Sequence, residues 1–115
     1  MSHVLIADDS AVVRTALEKK LKAAYATVTL AASSAAADAI DVSTIDAALL
    51  DLDLGDGSGV ELALRLVERR PELRVAFFSS ADDVVLRARA EAIGPVFSKP
   101  NEVDAAVAWL TRSAS

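Results

Sequence analysis

Ala47-Ala48-Leu49-Leu50-Asp51 places four consecutive apolar residues directly before a carboxylate. A short apolar run bounded by polar residues reads as a strand buried on both faces, as in a parallel sheet. A carboxylate closing such a run gains nothing from the sheet and invites a desolvation penalty. Asp51 is therefore either an acid on a solvated loop or a residue kept for its chemistry. The same arrangement recurs outward from this stretch: Val4-Leu5-Ile6-Ala7 precedes Asp8-Asp9, Val75-Ala76-Phe77-Phe78 precedes Ser79-Ser80, and Val96-Phe97-Ser98 precedes Lys99-Pro100. In an open parallel sheet the carboxyl ends of the strands share one edge, and ligands bind in the crevice there. Carboxylates, a hydroxyl and an ammonium then converge, which describes a pocket for a divalent cation and a phosphoryl group.

The segments between the runs are helical. Ser10 caps a helix with Val13, Leu17 and Leu21 at four-residue intervals and Lys19, Lys20 and Lys22 on the other side. Residues 27–31 form a further strand, and Ser33-Ser34 open a short alanine-rich helix reaching about residue 41. After the loop Gly55-Asp56-Gly57-Ser58-Gly59, a helix presents Val60, Ala63, Leu64 and Val67 on one face until Pro71 ends it. A fourth helix spans residues 82–92, Gly94-Pro95 breaks the chain, and a last helix over residues 101–112 turns Val103, Ala106, Val107 and Leu110 inward. Five strand-helix units predict an α/β fold with a doubly wound parallel sheet and helices on both faces.

A length of 115 residues bounds the sequence to one domain over residues 1–115, with no separate catalytic or DNA-reading output domain. The chain is 53% hydrophobic and 25% charged, the balance of a globular domain rather than a disordered one. Twelve basic against 17 acidic side chains give a net charge of -5, which argues against nucleic-acid binding. No apolar stretch is long enough to span a bilayer, and no cleavable leader precedes the first strand, so no membrane role is expected. The absence of cysteine excludes disulfides and fits a cytoplasmic location.

Each cluster has a plainer reading. Asp8-Asp9-Ser10 suits a helix N-terminus as well as a metal. Lys99-Pro100 suits a strand end followed by a helix start, and Ser79 suits a strand-end hydroxyl bonded to backbone. What these readings leave unexplained is the occurrence of all four at successive strand ends.

On these residues the chain resembles a response-regulator receiver domain, the phosphoacceptor module of two-component signalling, and in particular its single-domain, chemotaxis-regulator-like members. The resemblance covers essentially the full length. It lies in the acidic pair Asp8-Asp9, the phosphoacceptor position Asp51, Ser79, Lys99-Pro100, and Gly59 eight residues after Asp51. The resemblance implies a flavodoxin-like fold of five strands in order 2-1-3-4-5 with five helices. It implies Mg²⁺, or Mn²⁺ in its place, held by Asp9 and Asp51 and the backbone carbonyl of Asp53, with Asp8 orienting the set. Lys99 and Ser79 would engage phosphoryl oxygens, and the Lys99-Pro100 peptide would be cis. The implied partners are a histidine kinase or histidine phosphotransfer protein upstream and a protein target downstream. The target would meet the surface of the fourth helix, fifth strand and fifth helix. Helical spacing on the last helix turns Trp109 and Arg112 outward as part of that surface, with a tryptophan folded back along the domain surface as the equal alternative. The domain would be a monomer or weak dimer, and its catalysis would be confined to its own phosphorylation and dephosphorylation.

Several positions depart from that family's habit. Val96 stands where an aromatic residue usually follows the switch, with Phe97 pointing to the opposite face, and the Gly94-Pro95 segment is about two residues shorter than usual. Gly55 replaces a proline, Asp53 adds an acid near the metal, and Ala81 offers no group to orient water. Two other functional classes stand beside the phosphoacceptor. One is a phosphate-independent binding module of the same fold. The other is an Asp-nucleophile phosphatase resembling the haloacid-dehalogenase-like enzymes, suggested by Asp51-Leu52-Asp53 but opposed by the order of the acids along the chain. An EF-hand is excluded, because Asp56 occupies its glycine position and Leu62 its bidentate glutamate.

Overall fold

The computed structural model describes residues 2–80 and 83–112. Strands β1 (His3–Ala7), β2 (Thr27–Ala31), β3 (Ala47–Leu50), β4 (Arg74–Ser79) and β5 (Val96–Ser98) pair in parallel in the order β2-β1-β3-β4-β5. The helices between and after them are α1 (Ala11–Ala23), α2 (Ser34–Asp38), α3 (Gly59–Arg69), α4 (Val84–Glu91) and α5 (Val103–Thr111). β2 and β3 match the sequence reading residue for residue. The doubly wound sheet and its predicted order are those observed.

Strand alternation divides the core in two. Leu5, Ala7, Ala48, Leu50, Val75 and Phe77 point to the face covered by α2, α3 and α4, where Ala37, Val60, Leu62, Ala63, Leu66 and Ala90 meet them. Val4, Ile6, Ala47, Leu49, Ala76 and Phe78 point to the other face, against Leu17 and Leu21 of α1 and Ala106 and Leu110 of α5. The central strands are buried on both faces, hence their unbroken apolar runs. Fully burying side chains such as Phe77 or Leu50 contributes roughly 1.5–3 kcal/mol each. Val96 packs with the first face and Phe97 with the second, as alternation requires.

Three expectations are corrected. In α3 the buried leucines are Leu62 and Leu66, one turn apart, while Leu64 is 50% exposed. Leucines at every second position leave the choice of face to the packing, and Leu64 lies about 200° around the helix from Leu62. α2 stops at Asp38, because the Asp41 carboxylate accepts the Ser43 N–H and opens a separate 3-10 turn, Val42–Thr44. α5 starts at Val103, since Glu102 folds back to accept the Ser98 N–H while its own N–H donates to the Ser98 carbonyl. Of the two positions open to Trp109, the folded-back one is observed, and the ring is half-buried. It packs on the α1/α5 core, and the guanidinium of Arg74, at the start of β4, stacks 4.2 Å from its ring centroid. The arginine beside it is therefore one that helical spacing could not supply. α4 is capped by Asp83, whose carboxylate accepts the Leu86 N–H; Ala81 and Asp82 lie outside the described residues.

Candidate active site

Where β1, β3, β4 and β5 end, their terminal residues gather. Asp8 and Asp9 follow β1, Asp51 follows β3, Ser79 closes β4 and Lys99 follows β5. The ends are brought level by the parallel register, which pairs Ala7 with Leu50 and Ser79 with Ser98. Backbone bonds continue it past the strands: the Asp51 N–H donates to the Ala7 carbonyl at 2.9 Å and the Lys99 N–H to the Ser79 carbonyl at 3.1 Å.

Lys99 Nζ sits between two carboxylates, 2.7 Å from Asp8 Oδ2 and 2.8 Å from Asp51 Oδ2. Asp8 is 2% exposed and Asp51 8%, so this is a buried charge cluster and not a surface ion pair. The remaining oxygens are also held. Asp8 Oδ1 accepts the Ser10 N–H at 2.9 Å, and Asp51 Oδ1 accepts the Asp53 N–H at 3.1 Å. Ser10 itself caps α1 through the Val13 N–H, so the cap reading and the pocket reading of Asp8-Asp9-Ser10 hold together, on different residues. The Lys99-Pro100 peptide is cis, as the resemblance implied.

Two residues that the sequence did not single out shape the pocket. Arg14, in the first turn of α1, donates from Nη1 to the Asp8 carbonyl at 2.8 Å. No local pattern marks it. Phe78 lies beneath Lys99, with the ammonium 5.6 Å from its ring centroid. At Gly59, eight residues after Asp51, a Cβ would collide with the Asp51 carbonyl, so only glycine lets α3 begin so close to Asp51.

The electrostatics are unbalanced. Three carboxylates, Asp8, Asp9 and Asp51, meet two cationic side chains, Lys99 on the carboxylates themselves and Arg14 on the Asp8 backbone carbonyl. Burial pushes the Asp51 carboxyl above its ordinary value, and the adjacent Asp8 charge adds to this, against the hydrogen bonds and charge of Lys99 and Asp53 N–H. For Lys99 burial acts downward, but the hydrogen bonds it donates to Asp51 and Asp8 and their charges outweigh it and hold the ammonium above its usual range. One oxygen from each of Asp8, Asp9 and Asp51 lies within 4.8 Å of the others, with Asp9 exposed at the open side. Hard oxygen donors with excess negative charge are the donor set for Mg²⁺ or a like cation. The Asp53 side chain stands outside this group, its Oδ1 accepting the Gly55 N–H at 2.9 Å. Its backbone N–H, not its carboxylate, touches the pocket's acids.

The sequence matches the family model for the response regulator receiver domain over residues 4–110. The chain belongs to that family. No curated protein matches the sequence closely enough to count as a relative. Among solved structures, a CheY-like receiver domain protein from Methanospirillum hungatei superposes with TM-score 0.78 at 17% identity, covering 96% of both chains. The response regulator TrrA from Thermotoga maritima, in complex with Mg²⁺ and beryllium fluoride, gives 0.81 at 19% identity over 96% of this chain and 99% of its own. A response regulator from Burkholderia pseudomallei with a phosphorylated aspartic acid, calcium and citrate gives 0.79 at 23% identity over 96% of this chain and 66% of its own. Among the described residues no helix is long and apolar enough to cross a membrane.

Proposed function

We propose that this receiver domain accepts a phosphoryl group on Asp51 from the phosphohistidine of a histidine kinase or histidine phosphotransfer protein and signals through protein contacts. The observation that carries the reading is Lys99 Nζ bridging Asp8 and Asp51 at 2.7 and 2.8 Å, with Asp9 beside them. In the transfer, an Asp51 oxygen forms the new O–P bond while the N–P bond breaks and its electron pair returns to the imidazole. Lys99 exchanges its contact with Asp51 for an incoming phosphoryl oxygen, acting as a point charge. The Ser79 hydroxyl, at the end of β4, donates to another oxygen. Asp8, Asp9 and Asp51, with the backbone carbonyl of Asp53, would hold Mg²⁺, or Mn²⁺ in its place. A bound cation would supply neutralisation of charge on the transferring group. Positioning and charge compensation are the larger part of what such a transfer requires.

For the downstream contact we favour the surface of α4, β5 and α5. There Val84 and Val85 are 79% and 72% exposed, whereas Trp109 is already engaged by Arg74.

The test is intact mass after incubation with acetyl phosphate and Mg²⁺, with Asp51→Asn and a chelated sample as controls. One base-labile phosphoryl group, absent from both controls, is expected. A protein that binds Mg²⁺ but gains no phosphate from either acetyl phosphate or a phosphorylated phosphotransfer protein would instead be a phosphate-independent module.

A further inference from the structure

The loop after the acceptor is fastened at its tip by a residue with no part in the pocket. Asp56 reaches from the loop to the start of α2, where Oδ1 accepts the Ser34 N–H at 2.8 Å and Oδ2 the Ala35 N–H at 3.0 Å. Those two N–H groups are ones the helix cannot satisfy for itself. The next, from Ala36, is taken by the Ser33 hydroxyl at 3.0 Å, so α2 already has a cap of its own before Asp56 adds to it. The bonds to Ala35 and Ser34 hold the Asp56 carboxyl below its ordinary value.

The point of attachment is itself braced. Arg65 of α3 donates from Nη2 to Ser34 Oγ at 3.0 Å and from Nε to Asp38 Oδ2 at 2.8 Å. Arg69 takes the Asp38 carbonyl at 2.8 Å and Oδ1 at 3.2 Å. α2 is thus held at both ends by α3, and Asp56 ties the loop tip to that assembly. Within the loop, the Leu54 N–H donates to the Gly57 carbonyl at 3.0 Å, Gly55 adopts a φ of +82°, and a Cβ on Gly55 would stand 4.0 Å from Asp9 Oδ2. The opposite end of the loop delivers the Asp53 N–H to Asp51. Leu54, buried in the core, and the Asp53–Ser58 bridge hold the base of the loop, while its tip, where the left-handed glycine gives no stiffness, depends on what holds the neighbouring Asp56.

We infer that Asp56 is a positioning residue, whose bonds to the N-terminus of α2 hold the 53–57 loop against the acidic pocket and thereby set its affinity for a divalent cation. This rests on the metal-assisted phosphoacceptor reading above. It makes α2 part of the acceptor site's support, through a contact between residues 22 positions apart.

Mg²⁺ binding by calorimetry is compared in wild type, Asp56→Ala, Asp56→Asn and Asp41→Ala, together with amide hydrogen exchange of each protein without metal. Asp41→Ala removes a comparable exposed cap, the bond to the Ser43 N–H, away from the pocket. Removing a support of the ligand set weakens Mg²⁺ by about tenfold in Asp56→Ala, the lower end for such partners. Asp56→Asn, which keeps one acceptor oxygen, falls between it and wild type, and Asp41→Ala keeps wild-type affinity. In metal-free Asp56→Ala the Leu54 amide exchanges faster while amides of β1 do not. Unchanged Mg²⁺ affinity in folded Asp56→Ala overturns the inference, as does an equal loss in Asp41→Ala. Should wild type itself bind no Mg²⁺, the phosphoacceptor reading falls, and the exchange comparison alone decides the clamp: unaltered Leu54 protection overturns it.

Discussion

Removing the Lys99 ammonium tests whether the pocket's acids depend on it. In Lys99→Met the aliphatic stem is kept and the charge is lost, leaving Asp8, 2% exposed, and Asp51, 8% exposed, with carboxylates that both faced one cation. Breaking a buried pair by deleting one partner typically costs about 3–5 kcal/mol, because the other charge stays buried without compensation. Lys99 is 16% exposed at its side chain and the pocket opens on the Asp9 side, so partial hydration places the expected loss near 3 kcal/mol. For a domain of this size that is a fall in Tm of roughly 10–15 °C. Urea unfolding followed by circular dichroism at pH 7 in EDTA measures it. Two further results belong to the same reasoning. The deficit shrinks as the pH falls and Asp51, raised by burial, takes up a proton, and it shrinks in Asp8→Asn/Lys99→Met, where one of the two stranded side chains is neutral. A Lys99→Met protein as stable as wild type in EDTA at pH 7 would refute the claim that the cluster is held by this lysine.

Gly59→Ala drives a methyl into the Asp51 carbonyl, and we expect a loss of about 1–3 kcal/mol in urea unfolding together with weakened Mg²⁺ binding, whereas an unaltered protein would show that α3 can move away freely. Leu66→Ala should cost about 2–5 kcal/mol and Leu64→Ala well under half of that, a contrast that urea midpoints would reverse if α3 presented its other face. The Asp51 carboxyl, raised by burial above its ordinary 3.8, binds a proton more tightly folded than unfolded. Its contribution to stability is therefore greatest in acid and is lost as the pH rises from 3.8 through the higher folded value. In Asp51→Asn this decline disappears from the pH dependence of Tm measured in EDTA, and a steeper decline would contradict the assignment.

Much of the domain was legible because the decisive signals are local. A doubly buried strand is an apolar run, and a polar residue ending that run stands at the sheet's edge; hence Asp8, Asp51, Ser79 and Lys99 could be placed together before any coordinates. What escaped reading depends on partners distant in the chain. The three alternating leucines of α3 fit either face until the sheet selects Leu62 and Leu66. Helical spacing left Trp109 open between facing outward and folding back, because the group that decides it, Arg74, comes from β4. Asp56 looked like a loop acid between glycines, and nothing beside it announced the two N–H groups of α2.

Trp109 is the only tryptophan in the chain. It stacks on Arg74 at the first residue of β4, whereas the acidic crevice begins at the last residue of that strand, Ser79. Five strand steps separate the two, roughly 16 Å. An indole lying against a guanidinium emits differently once the two part, and this pair parts when α5 leaves the sheet. The domain therefore carries an intrinsic optical gauge of unfolding, set at the end of the sheet away from the acidic crevice.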